Sequence, residues 1–231
     1  MKRDTLERLN ADRAAKRAVV LASRIGGGAE ALLYPPDCQS PVFGAEIATA
    51  AREALQRDKS GPVAAPDGQV FLNVFNSPLR MVIVGAVHIA QALARMAAQT
   101  GYDVTIIDPR RAFATEDRFP GVALRHDWPD EALAEIRPDH RTAVITLTHD
   151  PKIDDPALIA ALKSPCFYVG ALGSKKTHAK RVERLTAEGV DEASIGRIHG
   201  PVGLSLGAVS PAEIAVSILG QVIARLRGAA A

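Results

Sequence analysis

The chain has 231 residues, and its 28 Lys and Arg against 26 Asp and Glu leave a formal net charge of +2, which offers no bulk charge for holding nucleic acid. Hydrophobic residues make up 47% and charged residues 23%, the composition of a globular protein with a sizeable core, and no apolar run is long enough for a membrane span. The opening Met-Lys-Arg-Asp-Thr-Leu-Glu-Arg lacks the apolar core of a signal peptide, and Cys38 and Cys166 make neither a disulfide framework nor a metal cluster, so a cytoplasmic protein is expected.

Residues 1–17 read as a charged helix with Leu6 and Leu9 as a thin apolar edge. Strands are expected at 18–22 and 31–34, joined by a hairpin turn at Gly26-Gly-Gly28, since no Lys-Ser or Lys-Thr follows as a phosphate loop would require. Pro35-Pro36 stops the second strand. A helix over 45–57 places Ile47, Ala51 and Leu55 on one face; 61–68 is turn-rich, and 69–75 reads as a strand. These elements form a small N-terminal α+β module, assigned to residues 1–77.

From residue 78 to the end the pattern changes to regular strand–helix alternation, the mark of an α/β fold with a parallel sheet. Strands are expected at 81–84, 104–107, 143–147, 167–169 and 198–199, with a short one just before Arg125. Helices are expected at 89–99, 157–162, 175–187 and 211–227. Ser210, Pro211 and Glu213 supply the N-cap, the first helical proline and the capping-box acid of the last helix. The stretch Met81-Val-Ile-Val-Gly85 followed by an alanine-rich helix, then a second strand ending in Asp108, predicts a Rossmann-like parallel sheet flanked by helices. The three positions of the dinucleotide fingerprint hold Gly85, Val87 and Ala90. Val87 puts a β-branched side chain where a glycine normally lets the backbone approach a pyrophosphate, which argues against an ordinary NAD(P) pose.

In such a sheet, ligands bind beyond the carboxyl ends of the strands, and polar residues collect after each expected strand. They are Gly85-Ala86-Val87-His88, Asp108-Pro-Arg-Arg111, Thr148-His149-Asp150, Gly170-Ala-Leu-Gly173-Ser174-Lys175-Lys176 and His199-Gly-Pro-Val-Gly203. In the 170–176 turn, two glycines bend the chain, Ser174 can cap the next helix, and the free N–H groups with Lys175 suit a phosphate. Asp108 has the position of a ribose-binding acid, but equally that of a strand-end turn residue. His88, His149 and His199 lie on separate segments without the spacing of a helical metal pair; His126 and His178 read as surface or packing residues. Cys166 reads as a buried small hydrophobe and Cys38 as the exposed thiol of a loop.

Several segments together resemble a known family: Val82-Ile-Val-Gly-Ala-Val-His-Ile-Ala-Gln-Ala-Leu93, Asp108-Pro-Arg with Arg118-Phe-Pro120, Thr146-Leu-Thr-His-Asp150, Tyr168-Val-Gly-Ala-Leu-Gly-Ser174, Ile198-His-Gly-Pro-Val-Gly203 and Pro211-Ala-Glu-Ile-Ala-Val216. They look like the xanthine dehydrogenase accessory family (XdhC/CoxI/CoxF-like). The resemblance implies a maturation factor for molybdenum hydroxylases rather than a turnover enzyme. Such a factor binds the molybdenum cofactor, protects it during sulfuration and delivers it to the apo-enzyme, of xanthine dehydrogenase or carbon monoxide dehydrogenase type. Implied partners are that client and a cysteine desulfurase, with a homodimer left open. The 170–176 turn would take the phosphate, His88, His149 and His199 would lie near the pterin or metal, and the basic helix face after Lys175 would meet the client. Members often carry a Gly-Gly-Cys segment that Gly26-Gly-Gly-Ala-Glu30 lacks, which sets this chain closer to the CoxF-like branch. Two alternatives compete: an NAD(P)-dependent oxidoreductase, and a nucleotide-sensing Rossmann domain.

Overall fold

The computed structural model describes residues 1–229 and divides the chain into two compact units, Met1–Pro78 and Leu79–Ala231. The first unit comprises α1 (Arg3–Ala14), β1 (Val19–Arg24), β2 (Glu30–Leu33), α2 (Ala45–Arg57), β3 (Gly61–Ala65) and β4 (Gly68–Phe75). Its four strands pair antiparallel in the order β2-β1-β4-β3. Strand alternation explains the two faces. Val20, Ala22, Val70 and Leu72 pack with Ile47, Ala48 and Ala51 of α2, while Val19 and Leu21 meet Leu9 of α1. Two expectations change here. The turn-rich stretch 61–68 contains β3, and Pro62 is tolerated because β3 is an edge strand. Cys38 is buried rather than exposed: its N–H donates to the Tyr34 carbonyl, closing a turn that sends the side chain into the α2 core.

The second unit comprises β5 (Leu79–Val84), α3 (His88–Gln99), β6 (Tyr102–Ile107), β7 (Ala123–Arg125), α4 (Pro129–Ile136), β8 (Thr142–Thr146), α5 (Pro151–Leu162), β9 (Tyr168–Ala171), α6 (Lys175–Ala187), the single turn α7 (Glu192–Ile195), β10 (Ile198–His199) and α8 (Pro211–Arg227). All strand pairings are parallel, in the order β10-β9-β8-β5-β6-β7. Counted from β5, this is the doubly wound order 3-2-1-4-5-6, whose switch point falls between β5 and β8. Both faces are buried, so the strands are apolar almost throughout. Met81, Ile83, Ala143 and Ile145 face α3 and α8; Val82, Val84 and Val144 face α4 and α5. Burying one such side chain contributes about 1.5–3 kcal/mol.

Local chemistry sets the helix starts at the working edge. Asp150 accepts from the Lys152 N–H to cap α5, Ser174 accepts from the Thr177 N–H to cap α6, and Ser210 with Glu213 closes a reciprocal box on α8. α5 begins at Pro151 rather than 157, because a proline at the first helical position forfeits no hydrogen bond. α4 is an element absent from the expected helices, and Pro129 is again a first helical residue. No helix among the described residues is long and apolar enough to cross a membrane.

Candidate functional site

At the switch point the glycine turn is closed on itself. Gly85 has φ +108, and a Cβ there would stand 2.6 Å from Thr148 Cγ2, so the turns after β5 and β8 are in direct contact. Val87 is the N-cap of α3 and makes no capping bond; His88 beside it is exposed. Asp108 is fully buried. Its Oδ2 accepts the Ala86 N–H and Arg110 Nη2, each at 2.8 Å, and its Oδ1 accepts Arg110 Nε at 2.9 Å and the Arg110 N–H at 3.0 Å. Four donors fill the lone-pair sites of a carboxylate. Burial acts to raise the Asp108 pKa, but the Arg110 side chain and the two N–H groups outweigh it and hold the carboxyl below its usual range. Of the two readings of Asp108, the strand-end turn is visible directly, since its Oδ1 accepts the Arg110 N–H two residues on. No oxygen is free, and the Ala86 N–H that a pyrophosphate would use is turned inward.

One crossover further along, the edge is open. A cavity of about 270 Å³ lies between the heads of α5 and α6. His149, Pro151 and Asp154 form one wall; Lys176, Thr177, Lys180, Arg181 and Arg184, spaced to share one helix face, form the other. Asp154 is 1% exposed and accepts from the Thr148 hydroxyl at 2.7 Å, the Thr148 N–H at 3.3 Å and the His149 N–H at 3.0 Å. Burial nevertheless pushes its carboxyl above the ordinary range. These bonds hold His149 at φ 65, a left-handed conformation that costs a non-glycine residue about 1–3 kcal/mol.

Arg181 is the unusual member. It is 1% exposed, and its Nη2 donates to the Leu172 carbonyl at 2.8 Å, but Nε and Nη1 are buried without a protein partner. An unmet buried donor costs about 1–3 kcal/mol, and more when charged. Burial lowers the Arg181 pKa, opposed by the fields of Asp154 and Asp155. Arg184, by contrast, is paired with Asp155 through bonds of 2.5 and 3.0 Å. Of the basic helix face after Lys175, Arg181 is turned inward by packing on the β9 turn, and Arg184 is ion-paired. Lys175, expected at the phosphate, is exposed and does not line this cavity; Lys176 does.

A third group sits where β9 and β10 meet α8. The His199 ring stacks on Tyr168 with centroids 4.7 Å apart, and Tyr168 Oη donates to Gln221 Oε1 at 2.6 Å. The Gly203 N–H donates to the same oxygen at 2.9 Å. Burial, with a smaller push from Arg225, lowers the His199 pKa and favours the neutral ring. Gly170 is buried where a side chain would strike Val202 and Tyr168, whereas Gly173, at φ +146, makes the turn into α6 beneath Ser174. The three histidines thus occupy three places, at the α3 head, in the cavity wall and on the Tyr168 ring. Among the described residues no group of three or more His, Cys, Asp or Glu could hold a metal ion. Sequence reasoning missed Asp154, Thr177, Lys180, Arg181 and Arg184 as site residues. The available signal was the basic i, i+4 stripe directly after a strand-end glycine turn.

A doubly wound parallel sheet with a polar cavity at its strand ends defines a Rossmann-type domain. Residues 81–222 match the XdhC Rossmann domain, and the chain belongs to that family, as the sequence segments suggested. It is 36% identical over 148 residues to the molybdenum cofactor insertion chaperone PaoD of Escherichia coli (strain K12), covering 64% of this chain and 40% of that protein. It is 32% identical over 155 residues to a probable xanthine dehydrogenase subunit of Bacillus subtilis (strain 168), covering 67% and 45%. A further relative, the uncharacterized protein YqeB of Escherichia coli (strain K12), is 29% identical over 214 residues, 88% of this chain and 38% of that one. The chain thus spans less than half the length of each of these relatives. A crystal structure described as a xanthine dehydrogenase from Bacillus halodurans shares the fold, with a TM-score of 0.73 at 23% identity, covering 98% of this chain and 67% of that chain.

Proposed function

We propose that the chain is an accessory protein that takes a molybdenum cofactor as cargo and assists its sulfuration, its insertion into a molybdenum hydroxylase, or both. The client is of xanthine dehydrogenase or carbon monoxide dehydrogenase type. The observation that carries this reading is the enclosed Asp108. With all four of its acceptor sites filled, the Gly85 turn offers neither the ribose acid nor the Ala86 N–H that a dinucleotide-dependent oxidoreductase needs. The open cavity beside it, with unmet cationic donors, suits a phosphorylated ligand instead. The 36% identity to a named insertion chaperone supports the same direction.

On this reading the cargo lies along the strand ends, from Gly85, Ala86, Val87 and His88 past Thr148 and His149 to Gly170, Gly173, Ser174, Lys175 and His199. A neutral, stacked His199 presents a fixed ring for hydrogen bonding near a pterin. A cysteine desulfurase and the client enzyme are the protein partners, meeting the carrier in the cytoplasm. The test is anaerobic titration of the purified chain with molybdenum cofactor and, separately, with NAD(H) and NADP(H). Saturable cofactor binding with no dinucleotide binding is expected. Dinucleotide binding at about micromolar affinity without cofactor binding overturns the reading in favour of an oxidoreductase or nucleotide-sensing domain.

A further inference from the structure

We infer that the cavity between the heads of α5 and α6 is an oxyanion subsite, anchored by buried Arg181 and walled by Lys176, Thr177 and Lys180, that takes the phosphate or diphosphate group of a larger ligand. Only the identity of that larger ligand rests on the cofactor reading. Three independent features converge. Two helices, α5 and α6, begin at the cavity, so both direct the positive ends of their dipoles towards it. Arg181 is almost wholly enclosed, lines the cavity and leaves Nε and Nη1 without a protein acceptor, so an arriving oxyanion would meet a desolvated guanidinium with donors to spare. Lys176 and Lys180 are exposed at the rim and add charge without a protein partner of their own among the bonds and ion pairs of the described residues.

The acidic groups nearby offset this charge through their fields but do not bond it. Asp155 is committed to Arg184, and both oxygens of Asp154 accept from Thr148 and His149 donors. Size limits the occupant. About 270 Å³ is below the roughly 300–1,000 Å³ of pockets that enclose a whole small molecule. The cavity therefore holds one end of a ligand whose remainder lies along the strand ends.

The test is calorimetric titration of the full chain at low ionic strength with inorganic phosphate and with pyrophosphate. Saturable binding is expected. Arg181→Met should weaken it by roughly tenfold to a hundredfold, the loss of a charge-assisted hydrogen bond. Because Arg181→Met also removes the bond to Leu172 and can impair folding, the exposed pair Lys176→Ala with Lys180→Ala serves as the second variant, with about a tenfold loss expected. Lys163→Ala, exposed at the C-terminal end of α5 and outside the cavity, should change affinity by no more than about twofold. Absence of saturable binding to the wild type, or an equal loss in Lys163→Ala and the double variant, overturns the inference. Cofactor binding without any binding of either inorganic anion removes this subsite and leaves the proposed function standing. Anion binding at the cavity without cofactor binding does the reverse.

Discussion

Two aspartates, both buried at the carboxyl edge of one sheet, close neighbouring halves of it in opposite ways. Asp108, after β6, meets a full complement of donors including a guanidinium, and its carboxyl is held below the ordinary range. Asp154, opposite the β8 turn, meets only neutral donors, and burial raises it. Arg181, whose field acts on Asp154, is left with unmet donors of its own. The first half is a satisfied network, which rigidifies; the second is unsatisfied on the cationic side, which is where a ligand gains most. The half that carries the nucleotide fingerprint is thus closed by its own side chains, and the half without a named motif is the one with donors left over.

Breaking the satisfied half should have the largest effect. Asp108→Ala strips the buried Ala86 N–H of its acceptor and Arg110 of its partner. With Arg110 partly able to return to water, a loss of about 2–4 kcal/mol in stability is expected, read from the midpoint of urea unfolding. A loss below about 0.5 kcal/mol, the scale of an ordinary surface change, would show that the network carries no stability. Next in size is Gly85→Ala. The new methyl would stand 2.6 Å from Thr148 Cγ2 and 3.2 Å from the Thr148 nitrogen at a φ of +108, for an expected cost of about 1–3 kcal/mol. Combined with Thr148→Ser, which removes the opposing methyl, part of that cost should return. Equal destabilisation with and without Thr148→Ser would place the whole cost in the backbone angle.

What is legible in the sequence follows the range of the forces involved. The unbroken apolar run Met81–Val84 and the caps at Ser174 and Ser210 depend on residues within a few positions, so pattern reading finds them. Arg181 reads as one more cation on a solvated helix. Nothing local separates it from Lys180, and only the packing of α6 against the β9 turn brings it to the Leu172 carbonyl. Asp108 is half legible: its place at a strand end is clear, but its consumption by Arg110, two residues on, needs the side-chain geometry. Cys38 escapes pattern reading for the same reason, since a loop composition does not say which side of the loop faces the core.

The smallest expected effect is also the one that separates the two aspartates most directly, because their titrations act in different pH ranges. Asp108 has a depressed folded-state pKa, so its contribution is complete above the unfolded value of about 3.9 and is lost as pH falls through the folded value. Asp154 has a raised folded-state pKa, so the native state holds its proton more tightly than the unfolded chain does. Its contribution is complete below about pH 3.9 and is lost as pH rises through the folded value. The effect is limited, because the Thr148 and His149 donors offset part of the burial. Calorimetric unfolding of wild type and Asp154→Asn from about pH 4 upwards isolates it. Asparagine costs a pH-independent offset through its imperfect hydrogen bonding, so the change with pH in the difference between the two curves, not its absolute height, is the readout. Relative to the variant, the wild type should lose stability as pH rises above about 4 and then level off. A wild type that instead gains stability over that range would mean that Asp154 is held as an anion, by a cation such as Arg181, and that the contrast between the two halves of the edge is one of degree.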